Sequence, residues 1–442
     1  MRPLGLALIA IAILLPLIWF VPLWVRDPLA VFSQYLGSAA LIGMGVAMVM
    51  AIRWKPLEAV FGGQDQIYRQ HKWLAIGSMA AILLHDTIDA DMRGVGPETL
   101  LTDLGETLGE LSLYGLLILV TVTLATFIPY HLWRWTHRFM GAFFAFGAIH
   151  YLLILKPFKL MDPPGLYVSA FCVAGLLAYA VTLIPFRKRA GAYGYSVSSV
   201  QKEMGGLVVE LSPDGRPLAH RAGQFAFLGF DLDGLDEVHP FTISAAPRAD
   251  GVLRFSIGPL GDYTQRLAAG LQPGTKAKVT GPHGHFRPLQ NKPQAWIAAG
   301  IGITPFLAWA GEGQAAVVPV HLFYCVRGRE RALHLDELEA WASASDQHHL
   351  HVIDSLSRGR LDAADVLKAT GESAADLAVS FCGPKAMGDG LQKALVAAGL
   401  KSSAFHREAF EIRSGLPFGK AIEWLIKRFV KPRLKMLRSS AR

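Results

Sequence analysis

The sequence predicts a six-helix membrane domain, followed by a small β-barrel and then a parallel α/β domain. Three observations predict this order. Long apolar runs are confined to positions before about 190, where a soluble composition takes over. From there to 290, short β-rich runs alternate with Gly/Pro turns, and from 293 to 410 buried-strand runs alternate with helical stretches. The division reads as 1–189, 190–290, 291–413 and a tail at 414–442.

Charged residues make up 18% of the 442 positions, below the roughly 25% of soluble proteins. Apolar runs at 4–25, 31–52, 72–90, 111–130, 138–156 and 165–186 approach the ~20 residues that a spanning helix needs. The first run is longer than a signal-peptide core, and no small-residue cleavage site follows it. Basic residues set the orientation. Arg53, Lys55, Arg69, Lys72, Arg134, Arg138, Arg187, Lys188 and Arg189 share one side; Arg26, Arg93, Lys156 and Lys159 fall on the other. The positive-inside bias puts both termini, and everything after 187, in the cytoplasm. Within the tail, eight basic residues against the single acid Glu423 account for nearly all of the formal +8. A nucleic-acid binder with basic patches across a domain is therefore disfavoured.

Strand-like runs at 196–200, 207–211, 225–230, 241–244, 253–257 and 277–280 predict the barrel. Runs at 295–299, 317–325, 350–354 and 377–382 predict the parallel sheet. Three scattered cysteines (Cys172, Cys325, Cys382) give neither a disulfide scaffold nor a CxxC pattern.

Ionisable groups in spanning helices are costly and point to function. Helix three begins at His71 and holds His85; helix five begins at His137 and holds His150. Each pair is separated by about 20 Å along its helix, one member near each membrane boundary. Both helices run outward, so His71 is level with His137 and His85 with His150. Facing imidazoles at two depths suit two stacked b-type haems, with both axial positions filled. The phase is uneven: His71 and His85 fall about 40° apart on an ideal helix, His137 and His150 about 140°. Gly141 and Gly147 are expected to give the porphyrin room. Phe143 lies midway and reads either as a residue between haems or as ordinary core. His131 reads as a loop histidine.

The later motifs carry phosphate and ring chemistry. They are His239-Pro240-Phe241-Thr242-Ile243-Ser244, Gly258-Pro259-Leu260-Gly261-Asp262-Tyr263-Thr264, Gly281-Pro282-His283-Gly284, Ala298-Ala299-Gly300-Ile301-Gly302-Ile303-Thr304-Pro305, Phe381-Cys382-Gly383-Pro384 and His406-Arg407-Glu408-Ala409-Phe410. Glycines let backbone N–H groups approach phosphate, and a Gly-rich turn feeding a helix makes a phosphate cradle. In this order they resemble the ferredoxin–NADP reductase family, and the HPFT form with the paired histidines resembles its ferric reductase and NADPH oxidase branch. Many soluble members have Arg where this chain has His239.

The resemblance implies FAD held by His239, Pro240, Phe241, Thr242, Ser244, Gly261 and Thr264. It implies NADPH or NADH on Gly300, Gly302, Thr304, Pro305, Arg327, Cys382, Gly383 and Pro384. Thr242, Cys382 and Phe410 take the catalytic positions, with Phe410 covering the flavin. Arg329, near Arg327, favours a 2′-phosphate. The implied activity moves electrons from cytoplasmic NAD(P)H through FAD and two haems to an outside acceptor. O2 giving superoxide is expected, with Arg26 as a nearby cation; a ferric chelate attracted by the acidic loop from Asp86 to Glu106 is the alternative. A haem anchor fed by quinol or a separate reductase is a third, disfavoured by the flavin and nucleotide motifs. The basic, aromatic tail suits an anionic inner leaflet, or serves as a solubilising extension.

Overall fold

The computed structural model describes residues 3–408, apart from 89–94, 126, 127, 129, 185–190, 234, 236, 260, 289–291 and 314–317. It divides into two compact units that meet in sequence at Ile184 and Pro185.

The first unit is helical: α1 (Pro3–Leu14), α2 (Leu17–Phe20), α3 (Pro28–Ala51), α4 (Lys55–Phe61), α5 (Gln64–Thr87), α6 (Leu100–Leu124), α7 (Tyr130–His137), α8 (Met140–Leu153) and α9 (Pro163–Leu183). Caps fix several starts. Asp27 accepts from the Ala30 N–H ahead of Pro28, and Thr99 with Thr102 forms a reciprocal box. Among the described residues, four stretches are long and apolar enough to cross a membrane: Pro3–Leu23, Pro28–Ala51, Leu100–Leu124 and Pro163–Leu183.

The two histidine-bearing segments depart from that standard for separate reasons. Helix α5 has 24 residues, but its first turns carry Asp65, Arg69 and Lys72. Helix α8 is apolar but has only 14 residues, because the chain breaks at Arg138 and Phe139. There the N–H groups of Arg138 and Phe139 donate to the carbonyls of Trp135 and Thr136, one residue short of helical bonding. The fifth helix, expected at 138–156 with His137 at its start, is α8 alone; His137 ends the separate α7, and His131 lies inside α7 rather than in a loop.

The second unit holds two sheets. Strands β1 (Tyr193–Glu203), β2 (Gly206–Pro213), β3 (Phe225–Phe230), β4 (His239–Thr242) and β5 (Leu253–Ile257), helix α10 (Asp262–Gly270) and strand β6 (Lys276–His283) build the first. Its order is β4-β3-β6-β1-β2-β5, antiparallel throughout. A bridge between Ile243 and Phe255 links its two edges. The second sheet comprises β7 (Gln294–Ala299), α11 (Thr304–Gly311), β8 (Val320–Val326), α12 (Leu335–Ser343), β9 (His348–Asp354), α13 (Ala363–Thr370), β10 (Ala378–Cys382), α14 (Lys385–Ala397) and β11 (Phe405–Glu408). All its strands are parallel, in the order β11-β10-β7-β8-β9. Strands β7 and β10 have apolar residues on both faces, as a sheet covered on both sides requires. Strand β11 was not expected from the sequence: its Phe405-His406-Arg407-Glu408 lacks the apolar run of a buried strand.

Candidate functional site

The flavin-type motifs come together around β4. Thr242 and Ser244 are buried at its end. The Ser244 N–H donates to the Arg254 carbonyl at 2.8 Å, and Arg254 Nη2 donates to the Ser244 carbonyl at 2.6 Å. His239 at the start of β4 stacks on Tyr263, with ring centroids 4.0 Å apart. Its Nε2 lies 3.0 Å from Glu237 Oε2. Pro240 and Phe241 between them pair with Phe227 and Ala226 on β3. Ahead of α10, the Gly261 N–H donates to Thr264 Oγ1 at 3.1 Å, giving a glycine turn into a helix start. A Cβ on Gly258 would meet the Ile301 side chain at 3.2 Å, so this segment abuts the nucleotide-type loop.

On the second sheet, parallel register sets Ala298, Cys382 and Glu408 side by side at the strand ends. The loop turns at Gly300 with φ +54°. At Gly302 a Cβ would stand 2.2 Å from the Cys382 carbonyl oxygen, so only glycine brings the loop that close. Thr304 is buried and donates to the Ile301 carbonyl at 3.2 Å, and Pro305 opens α11. Gly383 packs on Ala299, and Pro384 caps α14. Burial, with the nearby Glu408, pushes the Cys382 thiol well above its ordinary range, so it sits there as a neutral thiol. Glu408, part of the terminal motif but given no role there, is set beside Cys382 by the parallel register. Arg327 is exposed past β8, whereas Arg329 Nη2 donates to Glu339 at 2.8 Å. Phe410 and the 414–442 tail lie outside the described residues.

The four histidines meet in the pairs their depths predict. The rings of His71 and His137 have centroids 6.4 Å apart; those of His85 and His150, 6.5 Å. The break at Arg138 and Phe139 resolves the phase conflict, because His137 and His150 do not share one helix.

Hydrogen bonds select one nitrogen in each ring. Nδ1 of His71 donates to the Ala47 carbonyl at 2.9 Å, and Nδ1 of His150 to the Gly105 carbonyl at 2.8 Å. Nδ1 of His85 lies 2.8 Å from Ser33 Oγ, whose own proton goes to the His85 carbonyl. Nδ1 of His137 lies 3.3 Å from Thr123 Oγ1, whose proton goes to the Leu119 carbonyl. The carbonyl partners of His71 and His150 only accept, so in those two rings Nδ1 carries the hydrogen. There the lone pair is left on Nε2, the arrangement found in metal-ligating histidines.

The spacing fits iron between the rings. Two metal–imidazole bonds of about 2.0 Å, with about 1 Å from nitrogen to ring centre on each side, put the centroids about 6 Å apart. The glycines fit as well. A Cβ on Gly37 would come within 3.3 Å of His85 Nε2, and Gly77, on α5 between His71 and His85, has open space beside it. The sequence had assigned that room to Gly141 and Gly147, and this is corrected. Gly141 is filled by the Tyr179 ring and Gly147 faces Ser112, so both serve helix packing. The Phe143 ring fills the space over Gly115 and packs against the helical core.

Residues 36–148 match the family described as ferric reductase like transmembrane component, and 296–393 match the oxidoreductase NAD-binding domain. Ferredoxin--NADP reductase B of Sorangium cellulosum is 32% identical over 157 residues, 33% of this chain and 61% of that protein. Dual oxidase 2 of Rattus norvegicus is 29% identical over 210 residues, 43% of this chain and 13% of that protein. The crystal structure of the Amycolatopsis cytochrome P450 reductase GcoB is 23% identical with a TM-score of 0.44, covering 50% of this chain and 69% of that one. The chain spans 50–61% of the length of the first curated relatives it matches.

Proposed function

We propose that this chain, which has the architecture of ferric reductases and NADPH oxidases, is an NAD(P)H oxidoreductase that carries electrons across a membrane to O2, giving superoxide. One observation carries the reading: two histidine pairs of nearly equal separation, stacked along α5, each ring with a hydrogen-bond partner at Nδ1. When bound, FAD exchanges hydride for single electrons and two b-type haems relay them. In this reading His71 and His137 hold the inner haem, and His85 and His150 the outer.

His239, Pro240, Phe241, Thr242, Ser244, Gly261 and Thr264 hold FAD, with Phe410 over its ring. Gly300, Gly302, Thr304, Pro305, Arg327, Arg329, Gly383 and Pro384 hold the nucleotide, NADPH by preference, with Cys382 beside the nicotinamide. Helices α5 and α8 complete six spans, both ends and the second unit are cytoplasmic, and the 414–442 tail rests on anionic lipid.

The test uses purified chain reduced anaerobically with NADPH, then given O2 or a ferric chelate. Reduced haem bands followed by dismutase-sensitive cytochrome c reduction on O2 are expected. Fast ferric reduction with slow O2 turnover would select the chelate instead, and a chain without a haem spectrum would end both readings.

A further inference from the structure

One polar ring, buried at Ser244 and Ser256 and half-buried at Arg254, His334 and Glu337, crosses between the two sheets of the second unit. Ser244 Oγ donates to the Arg254 carbonyl at 3.2 Å. Ser256 Oγ lies 3.0 Å from Ser244 Oγ. His334 Nε2 lies 2.8 Å from Ser256 Oγ, a hydroxyl that can pair with either tautomer of the ring. On the other side of the ring, His334 Nδ1 lies 3.4 Å from Glu337 Oε2, an oxygen that only accepts. Arg254 grips the same carboxylate with Nη1 at 2.8 Å and Nη2 at 3.0 Å, and Nη2 also reaches the Ser244 carbonyl. The circuit closes through Ser244, Ser256, His334, Glu337 and Arg254. His334 and Glu337 belong to the second sheet's side; the other three belong to the end of β4 and to β5.

The backbone at His334 has the shape that glycine favours. It has φ 58° and ψ 32°, left-handed, and its side chain does not cap α12. Glycine takes that shape without strain, so an imidazole here goes against the local backbone preference. Nearby, a Cβ on Gly205 would stand 2.3 Å from the Arg331 carbonyl, so the turn between β1 and β2 is already pressed onto this segment.

We propose that His334 is a positioning residue for hydride transfer. Through Ser256, and beside the Glu337–Arg254 pair, it holds the start of α12, and with it the nucleotide sheet, onto the end of the flavin strand. This rests on the flavin and nucleotide sites as read above. A small loss of alignment between reacting groups costs rate steeply without changing binding.

The test is anaerobic stopped-flow reduction of the flavin by NADPH in the full FAD-loaded chain. His334→Gly relieves the left-handed backbone while removing the ring. Its Tm, FAD content and half-saturating NADPH are expected to stay at or above those of the unsubstituted chain. Its limiting rate is expected to fall about tenfold or more, with a larger isotope effect from 4-deuterated NADPH. His334→Asn, which keeps a donor, recovers part of the rate. Ser256→Ala, which spares the Glu337–Arg254 pair, falls between. An unchanged limiting rate in both His334→Gly and Ser256→Ala overturns the proposal, as does a rate loss that only tracks lost FAD and lowered Tm. No flavin reduction in the unsubstituted chain is a different failure, that of the functional reading itself.

Discussion

His239 and Tyr263 stack with ring centroids 4.0 Å apart, joining two motifs that stand 24 positions apart in the chain. The Tyr263 hydroxyl adds a bond to the Glu237 carbonyl at 3.1 Å. An aromatic pair contributes about 0.5–1.5 kcal/mol beyond burial, and a hydrogen bond about 1 kcal/mol. Tyr263→Ala is expected to weaken FAD retention about tenfold and Tyr263→Phe by less. Fluorescence titration of FAD into apoprotein would measure both.

The Nδ1 bonds of the membrane histidines predict a graded response. His85→Ala or His150→Ala should remove about one haem per chain, counted by pyridine haemochrome. Ser33→Ala keeps the haem but removes the hydroxyl that lies 2.8 Å from His85 Nδ1. The outer midpoint potential should then rise, on the order of tens of millivolts, with the inner one unchanged. Redox titration would show equal potentials in mutant and parent if Ser33 plays no such part.

Gly37 and Gly302 should be intolerant for opposite reasons. Gly37→Leu fills the space at His85 Nε2 and should block outer haem loading while leaving flavin reduction intact. Gly302→Ala puts a methyl 2.2 Å from the Cys382 carbonyl oxygen; it should cripple NADPH-dependent flavin reduction and leave haem content unchanged. One spectrum and one stopped-flow trace separate the two.

A pH effect is expected at the edge of the second sheet. Burial, then the neighbouring His349 and His351, hold the His321 imidazole down from 6.5 to about 4. The unfolded chain takes its proton near 6.5, whereas the folded chain refuses it until about 4. This contribution to stability is complete above 6.5 and is lost as pH falls across that window. His321→Gln should flatten that part of the profile, followed as heat-induced FAD release from pH 7 to 4.

The order of sheets and the glycine loops were legible because their signals are local: alternation along a strand, or a turn beside a helix start. Chain partners of the histidines were not. Ser33 lies 52 residues from His85 and Thr123 lies 14 from His137, and nothing in either neighbourhood marks them. The room attributed to Gly141 and Gly147 failed because a missing side chain does not say what fills its place; Tyr179 and Ser112 do. Arg329 was legible as a cation past β8, but its bond to Glu339 depends on the placement of α12.

The interruption at Arg138 and Phe139 has a consequence for the spacing of His137 and His150. In one continuous helix each inserted residue swings everything beyond it by about 100°. Here a hydrogen-bonded turn, not one continuous helix, sets the direction of His137 relative to His150. The number of positions between the two therefore need not follow the arithmetic of turns that a single helix would impose.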